Sequence, residues 1–427
     1  MSSADSLSPL QAIERDVMEH ARHVQVAGDE EAQYLKDLIN RAIVAWREDF
    51  RRGRRGQDLP DAAAIADRAF RNIAGYGPLE PLLADDDVWE IMLNAPDAIF
   101  VKRHTGPNGY HDEVFHDDAH VVRTITKILD DAAHTHRKLD PAEGLQDAQL
   151  NTGARLHIVH RDIGRDGHML VNIRKFTGVA FRSLDELVER DMLSLEAARF
   201  LKACVQARRS IIFCGAPGSG KTTLLSCCAA ELDPTLRVVV AEEVFEADVP
   251  LPNVASMQTR APRTDRSGVD LRRLVSGFLR MAPDIAIVGE VRDQEALPLL
   301  LTLSSGVKGY TTIHAGSARQ ALSRLRFIAQ LADTRSEIPM AALNSLVSEA
   351  VDVVVHCQRM NGKVQVTEIA TVEDSQTGAD AAAFTMTEVF SRKRWDGPLE
   401  WSRQYPVRAA RAFDEYGIDH REILGGV

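Results

Sequence analysis

The stretch from Gly215 to Thr222 reads Gly-Ala-Pro-Gly-Ser-Gly-Lys-Thr, which is the full G-x-x-x-x-G-K-[ST] pattern of a phosphate-binding loop. Such glycines let backbone N–H groups turn toward phosphate oxygens, and the following helix presents its positive end to the anion. Lys221 would add a positive charge at the β- and γ-phosphates, and the Thr222 hydroxyl is the expected Mg²⁺ ligand. We therefore predict a nucleoside triphosphate site formed by Gly215, Ala216, Pro217, Gly218, Ser219, Gly220, Lys221, Thr222 and Thr223.

The segments on either side of this loop are those that the binding mechanism requires. The apolar run 211–214 predicts a buried strand, and residues 223–230 predict a helix packed on a sheet. Because motif, strand and helix agree, a chance match in a surface loop is disfavoured.

An acid follows a second apolar run, in the sequence Ile-Ala-Ile-Val-Gly-Glu that ends at Glu290. An acid at the carboxyl end of a strand beside a phosphate loop can orient Mg²⁺ or an attacking water. In isolation, an exposed glutamate at a strand end would explain the pattern equally well. Its place about 70 residues after the phosphate loop favours the catalytic interpretation.

A third apolar run, 238–241, ends in Glu242 and Glu243. Neighbouring side chains on a strand point to opposite faces, so one carboxylate can face the nucleotide while the other faces solvent or an arginine. Taken alone, the pair favours a solvated strand end. His314 follows a glycine-rich turn, and a lone histidine is most often structural.

Composition describes an ordinary globular chain of 427 residues, with 44% hydrophobic and 26% charged residues, long enough for two to four domains. The net charge of −11 argues against a chain-wide surface for nucleic acid. The basic cluster 51–55 is either a solvated turn after a helix or a contact for anionic lipid or a partner. Five cysteines lack metal or disulfide spacing, which predicts small core residues in a reducing compartment.

Two further patterns bear on location. The N-terminus lacks the basic-then-apolar order of a signal peptide, and no run approaches the roughly 18 apolar residues of a transmembrane helix. We expect a cytoplasmic protein in which any membrane association comes through partners, and which does not bind nucleic acid directly.

Hydrophobic periodicity suggests how the chain is organised. An apolar stripe from Tyr34 to Trp46 predicts helical packing near the N-terminus, and residues 156–173 predict a hairpin. Strands alternating with helices after residue 190 predict a mostly parallel sheet covered on both faces. The predicted parts are an N-terminal helical segment (1–70), an α+β domain (71–178), a linker (179–190), an α/β phosphate-loop domain (191–372) and a C-terminal tail (373–427).

These motifs, in this order, resemble the secretion ATPase superfamily of type II and type IV systems, and most of all its CpaF/TadA branch, the motors of tight-adherence (Flp) pili. The likeness extends to residues 75–83, Glu90–Asn94, 147–156 and 173–176, and to residues 279–284, which precede the apolar run that ends at Glu290. It covers roughly residues 71–372.

The resemblance implies a RecA-like P-loop domain that hydrolyses ATP with Mg²⁺ in a homo-hexameric ring, acting on an inner-membrane platform protein. It implies that nucleotide lies between the α+β domain and the phosphate-loop domain. The catalytic residues that it implies are Glu290, the acidic box formed by Glu242 and Glu243, and His314, the second histidine of the His box. It also implies that Arg155 and Arg174 reach the γ-phosphate. The implied metal ligands are Thr222, Glu290 and Glu242.

The sequence also departs from the family pattern. Val307 replaces the first histidine of the His box, Gln149 and Ala282 replace arginines, and Glu243 replaces an aspartate. Three functions stay open: a pilus-assembly motor, the ATPase of a conjugative or protein-export apparatus, and a nucleotide-binding scaffold with little turnover. Residues 1–70 are expected to regulate the ring or dock it to its partner, or to form a local bundle.

Overall fold

A computed structural model of the chain separates into two compact units, residues 1–177 and 178–427. It describes residues 8–21, 29–59, 61–104, 106–132, 138–150, 152–175, 181–260, 267–332, 338–374, 384–394 and 396–424. Phe176, Trp395 and the first two residues of the expected linker lie outside these ranges.

The first unit combines three long helices with a small α+β part. Its elements are α1 (Pro9–Ala21), α2 (Asp29–Arg51), α3 (Ala62–Ala74), α4 (Glu80–Ala84), β1 (Val88–Ala95), β2 (Ala98–Arg103), β3 (Gly109–Tyr110), α5 (Asp118–Asp131), β4 (Leu145–Gln149), β5 (Arg155–Val159) and β6 (Leu170–Arg174). The strands form an antiparallel sheet in the order β3-β2-β1-β6-β5-β4. The predicted hairpin is confirmed as the β5–β6 pair.

The apolar stripe of α2 packs inside a bundle formed by α1, α2 and α3. Ile39, Ile43 and Trp46 are buried there against Ile13 and Ala69. Burial of this stripe matches its helical spacing, because residues three and four apart share one face. The stripe is therefore bundle core.

Polar contacts fasten this bundle to the α+β part. Arg71 of α3 donates from both terminal nitrogens to Glu113 at 2.9 Å. Glu14 of α1 is buried and accepts from Asn72 at 2.6 Å, and it lies 2.7 Å from His116 Nε2. A buried carboxylate that loses such partners is costly, so these contacts fix the orientation of the bundle on the sheet.

Gly77 occupies a position that no larger residue fits without cost. Its φ is +56°, and an added Cβ would lie 3.1 Å from Asn72 Oδ1 and 3.3 Å from His120 Nε2. We expect Gly77→Ala to lower the free energy of unfolding of the first unit by about 2 kcal/mol, from backbone strain and crowding together.

Gly167→Ala is the matched control, because Gly167 has φ +74° and nothing within 4 Å of an added Cβ. Strain alone should cost about 1 kcal/mol there. Urea denaturation of both variants measures the difference. Equal losses at the two sites would show that crowding at Gly77 contributes nothing.

The second unit is built on one large sheet. Its strands are β7 (Ile211–Cys214), β8 (Val238–Glu242), β9 (Val254–Gln258), β10 (Ile285–Val288), β11 (Lys308–Ile313), β12 (Val353–Met360), β13 (Lys363–Val372), β14 (Met386–Ser391) and β15 (Glu400–Trp401). Its helices are α6 (Leu184–Glu189), α7 (Leu195–Gln206), α8 (Lys221–Ala229), α9 (Leu271–Val275), α10 (Ala296–Ser304), α11 (Ala318–Ala332), α12 (Met340–Ala350), α13 (Val407–Glu415) and α14 (His420–Leu424).

The sheet order is β15-β14-β13-β12-β7-β11-β10-β8-β9, and the strands from β12 to β9 are parallel. Alternate residues of β7 point into two separate cores, Ile211 and Phe213 into one and Ile212 and Cys214 into the other. A parallel sheet buried on both faces requires such uninterrupted apolar strands. The predicted α/β fold, with a mostly parallel sheet, is confirmed, and all five cysteines are buried.

The segment after residue 372 continues this sheet. Strands β14 and β15 add to its antiparallel edge. Phe413 of α13 and Phe390 of β14 pack on Phe200 of α7, with ring centroids 5.8 and 5.7 Å from it. The described part of 373–427 is therefore built into the phosphate-loop unit. No helix in the described ranges is both long and apolar enough to cross a bilayer.

A buried carboxylate also holds α13 to the sheet. Asp352, just before β12, lies 2.9 Å from Arg408 of α13, 3.2 Å from Lys308 of β11 and 3.8 Å from Arg209. It also accepts the Ser210 N–H at 2.8 Å. One anion thus joins β7, β11, β12 and α13 at the amino ends of the strands.

Candidate active site

Four chemically active segments meet at the carboxyl edge of the parallel sheet. In the order β7-β11-β10-β8, the strands are followed or ended by the phosphate loop, His314, Glu290 and Glu242. Parallel strands bring their carboxyl ends to one edge, which is where open α/β sheets bind ligands. Residues separated by up to about 100 positions in sequence therefore line one site.

The phosphate loop adopts backbone conformations that only glycine accepts readily. Gly215, Gly218 and Gly220 have φ values of +149°, +71° and +85°. A Cβ on Gly215 would lie 2.1 Å from the Cys357 carbonyl oxygen, so this position has no room for a side chain. The loop then enters α8 directly, with Gly220 as its N-terminal cap.

The loop fits a chain of phosphates. Ser219 Oγ is fully buried and has no hydrogen-bond partner among the described residues. Lys221 Nζ donates to the Ala216 carbonyl at 2.9 Å. Burial lowers the pKa of Lys221, although the nearby Glu290 carboxylate opposes that shift. A buried donor with an open position and a partly desolvated ammonium beside a helix N-terminus are suited to phosphate oxygens.

Glu290 is held by two basic side chains. His314 Nε2 lies 2.8 Å from one carboxylate oxygen, and Arg292 donates to the other at 2.6 Å. Burial opposes ionisation of Glu290, but the hydrogen bonds from His314 and Arg292 outweigh it and lower its pKa to about 2. A carboxylate of this kind stays ionised at neutral pH and can orient a water or a cation by its charge.

His314 connects the two halves of the site. Its Nδ1 lies 3.1 Å from the Gly215 carbonyl oxygen and 3.4 Å from Lys221 Nζ, while its Nε2 faces Glu290. The imidazole therefore contacts both the start of the phosphate loop and the acid after β10. This histidine is not an isolated core residue.

The two adjacent acids at the end of β8 face different surroundings. Glu242 is buried, and its Oε1 accepts the N–H groups of Glu246 at 3.1 Å and Ala247 at 2.9 Å. Glu243 is exposed and accepts from Arg292 at 3.2 Å. A Cβ on Gly289 would lie 2.8 Å from Glu242 Cγ, so the glycine before Glu290 makes room for Glu242.

The donors around the loop suit a divalent cation held mainly by phosphates. Within the described ranges, no group of three or more His, Cys, Asp or Glu side chains could hold a metal ion. Mg²⁺ at phosphate sites needs only one or two protein ligands, because water and phosphate oxygens complete its octahedron. Thr222, Glu290 and Glu242 are the residues that would serve there.

The two arginines of the first unit lie side by side. Arg155 and Arg174 are directly opposite each other on β5 and β6, and Gln149 is opposite Arg155 on β4. Arg174 lies 3.6 Å from the buried Glu90 of β1. Arg155 and Arg174 thus form one cross-strand pair, and Glu90 lies beside Arg174. Gln149, where the family has an arginine, therefore lies in register with Arg155 and Arg174 across strands β4, β5 and β6.

Comparison with known proteins agrees with this geometry. The family model for the type II/IV secretion system protein matches residues 72–388. The chain belongs to that family. The match spans both units, from the signature before β1 into β14.

Individual members of the secretion family are similar over most of their length. A candidate conjugal transfer protein of Mycobacterium tuberculosis is 31% identical over 314 residues, 71% of this chain and 86% of the relative. The type IV secretion system protein PtlH of Bordetella pertussis is 31% identical over 310 residues, 67% of this chain and 89% of PtlH. The X-ray structure of the Legionella pneumophila ATPase DotB shares the fold, with a TM-score of 0.51 and 16% identity over 82% of this chain and 93% of DotB.

Two arginines that contact the site were not among the predicted catalytic residues. Arg292 bridges Glu290 and Glu243, and Arg359 of β12 donates to the Gly218 carbonyl at 2.8 Å. Arg292 stands two residues after Glu290, a spacing that could have marked it. Arg359 follows the phosphate loop by about 140 residues without any motif, so only the folded sheet reveals it.

Proposed function

We propose that this secretion-family protein is a Mg²⁺-dependent ATPase motor that powers assembly of a pilus of the tight-adherence type, or secretion, at the inner membrane. The observation that carries the proposal is the contact of His314 with both Glu290 and the phosphate loop. Through these contacts the Glu290 carboxylate lies beside the phosphate loop. An acid beside bound phosphates is the arrangement that phosphoryl transfer to water requires.

Each residue of the site has a role under this proposal. Ser219, Lys221 and the loop amides would hold the phosphates, and Thr222 would be a ligand to Mg²⁺, which when bound would supply positive charge beside the transferring phosphoryl group. Glu290 orients the attacking water by its charge. The pKa of about 2 makes Glu290 a poor proton acceptor while His314 and Arg292 hold it, so orientation rather than proton abstraction is its main contribution.

The arginine pair of the first unit completes the proposal. Arg155 and Arg174 would stabilise charge on the γ-phosphate, as arginine fingers do. The working assembly would be a homo-hexameric ring in the cytoplasm, bound to an inner-membrane platform protein. The bundle at the start of the chain would regulate or dock that ring.

A second candidate keeps the chemistry but changes the apparatus. The printed names of the similar Mycobacterium and Bordetella proteins refer to conjugal transfer and type IV secretion, which favours a conjugative or protein-export system. The motifs outside the nucleotide site favour the pilus branch. Genes for small prepilins and a prepilin peptidase beside this one would support the pilus, whereas relaxase or coupling-protein genes would support conjugation.

A scaffold with little turnover loses part of its support. Val307 lies just before β11 and His314 just after it, so the two residues lie at opposite ends of this strand. Seven extended residues span roughly 20 Å, which separates this departure from the contacts of Glu290.

Phosphate release by the purified full-length chain, measured with ATP and Mg²⁺ and paired with size analysis, tests the proposal. We expect multiple turnover and a hexamer whose population depends on nucleotide. Tight ATP binding without multiple turnover would identify a scaffold instead. Single-stranded DNA should bind weakly and leave the rate unchanged, and a DNA-stimulated rate would indicate a translocase.

A further inference from the structure

The hairpin formed by β12 and β13 extends past the edge of the sheet, alongside the phosphate loop. Strand β12 pairs with β7 as far as His356 opposite Cys214. Residues 357–360 continue beyond that point and pair only with 363–366 of β13 among the described strands. The hairpin turns at Asn361 and Gly362, whose φ values of +50° and +82° suit a tight two-residue connection.

This hairpin approaches the phosphate loop at each of its three glycines. The Cys357 carbonyl lies against Gly215, where an added Cβ would be 2.1 Å away. Val364 Cγ1 lies against Gly220, where an added Cβ would be 2.6 Å away. The third contact is polar, because Arg359 Nε donates to the Gly218 carbonyl at 2.8 Å.

The polar contact controls the direction of a loop peptide. In a trans peptide the carbonyl and the N–H of the next residue lie in one plane and point in opposite directions, so a side chain that holds the carbonyl also sets the direction of that N–H. The next N–H belongs to Ser219, and it donates to the Ala216 carbonyl at 3.3 Å. Lys221 Nζ donates to the same carbonyl at 2.9 Å. Two groups with which the loop would hold phosphate thus converge on one oxygen.

The guanidinium group of Arg359 is itself held in place. Its Nη1 donates to the Gly362 carbonyl at the hairpin turn, at 3.3 Å. The planar guanidinium therefore bridges the turn and the loop with donors in a fixed geometry, which an ammonium group could not reproduce.

We infer that Arg359 is a positioning residue for the phosphate loop and that the β12–β13 hairpin clamps this loop in the conformation described above. The consequence for nucleotide affinity rests on the proposed function, whereas the clamp itself does not. Strand β13 also pairs with β14, so the clamp connects the C-terminal strands to the nucleotide site.

Hydrogen–deuterium exchange of the ligand-free full-length protein tests the clamp without nucleotide. We expect Arg359→Met to increase the exchange rate of amides 215–222 by about tenfold, the effect of losing one charge-assisted hydrogen bond. The matched control is Arg392→Met. Arg392 is also a partly buried arginine, and it donates to the Val366 carbonyl of β13 and to the Gly397 carbonyl between β14 and β15.

Nucleotide affinity supplies the second readout. Arg359→Met should raise the Kd for ATP about tenfold, and Arg392→Met should leave it within about twofold, even where both lower the Tm. Equal loop exchange and equal Kd in the two variants would show a purely structural role and overturn the inference. A wild-type protein that binds no ATP would remove the proposed function, while the exchange result would still decide the clamp.

A second substitution covers a failure of Arg359→Met to fold. Arg359→Lys keeps the charge but cannot bridge Gly218 and Gly362 at once, so amides 215–222 should exchange faster than in the wild type. Wild-type exchange in Arg359→Lys would mean that charge alone suffices, and would contradict the bridging geometry.

Discussion

Replacing Glu290 by glutamine should lower kcat for ATP hydrolysis by about 10²- to 10³-fold while changing the Kd for ATP by less than about threefold. Glutamine keeps the size of the side chain but removes the charge that His314 and Arg292 hold. A group that stabilises only the transition state affects kcat, whereas ground-state binding depends on the phosphate loop. Steady-state phosphate release and equilibrium ATP binding separate the two effects.

Asp293→Asn is the control for this substitution. Asp293 is an exposed acid in the same loop, and its change should leave both kcat and Kd as in the wild type. Hydrolysis by Glu290→Gln at the wild-type rate, with normal ATP binding, would remove Glu290 from the catalytic mechanism.

The pKa of Glu290 adds a test of its environment. Because its folded-state pKa is about 2 and its ordinary value is 4.5, the charged form stabilises the folded protein above pH 4.5, and this contribution declines as the pH falls toward 2. The difference in unfolding free energy between wild type and Glu290→Gln should therefore shrink as the pH falls from 4.5 toward 2. A difference that stays the same over that range would contradict the depressed pKa.

Replacing Asp352 by asparagine should destabilise the second unit by about 3–5 kcal/mol. The substitution leaves Arg408, Lys308 and Arg209 beside a neutral group in a largely buried position. In a domain of this size that loss corresponds to a fall in Tm of roughly 10 °C. Calorimetry measures it directly.

Local release of α13 is the specific signature of this variant. Trypsin should cut after Arg408 and Arg411 faster in Asp352→Asn than in the wild type, because α13 loses its anchor to the sheet. Asp396→Asn is the control, since Asp396 forms an exposed pair with Arg394 and should cost less than about 0.5 kcal/mol. Equal Tm values for both variants would show that the buried cluster adds no stability.

The fold class could be predicted from short apolar runs and glycine positions, because these depend on which residues are buried and on which backbone conformations the chain adopts. Uninterrupted apolar runs such as 285–288 belong to strands covered on both faces, and the glycines of the phosphate loop mark backbone that only glycine adopts readily. Phe390 and Trp401 gave no comparable signal, because β14 and β15 mix apolar with polar residues and contain no uninterrupted apolar run of this length.

By itself, the sequence predicted the phosphate loop and the acid at 290 from residues close together in the chain, and it identified the family. The acids at 242 and 243 were predicted only through the family resemblance, because the pair taken alone favours a solvated strand end. Only the tertiary structure decided that His314 and Arg292 hold Glu290, that Glu242 is buried while Glu243 is exposed, and that Arg359 reaches Gly218. These contacts join residues from different strands, and strand order within a sheet is set by packing of the whole unit rather than by local pattern. Eight consecutive residues were thus enough to predict the phosphate loop, whereas the side chains that contact it from other strands could not be predicted from the sequence.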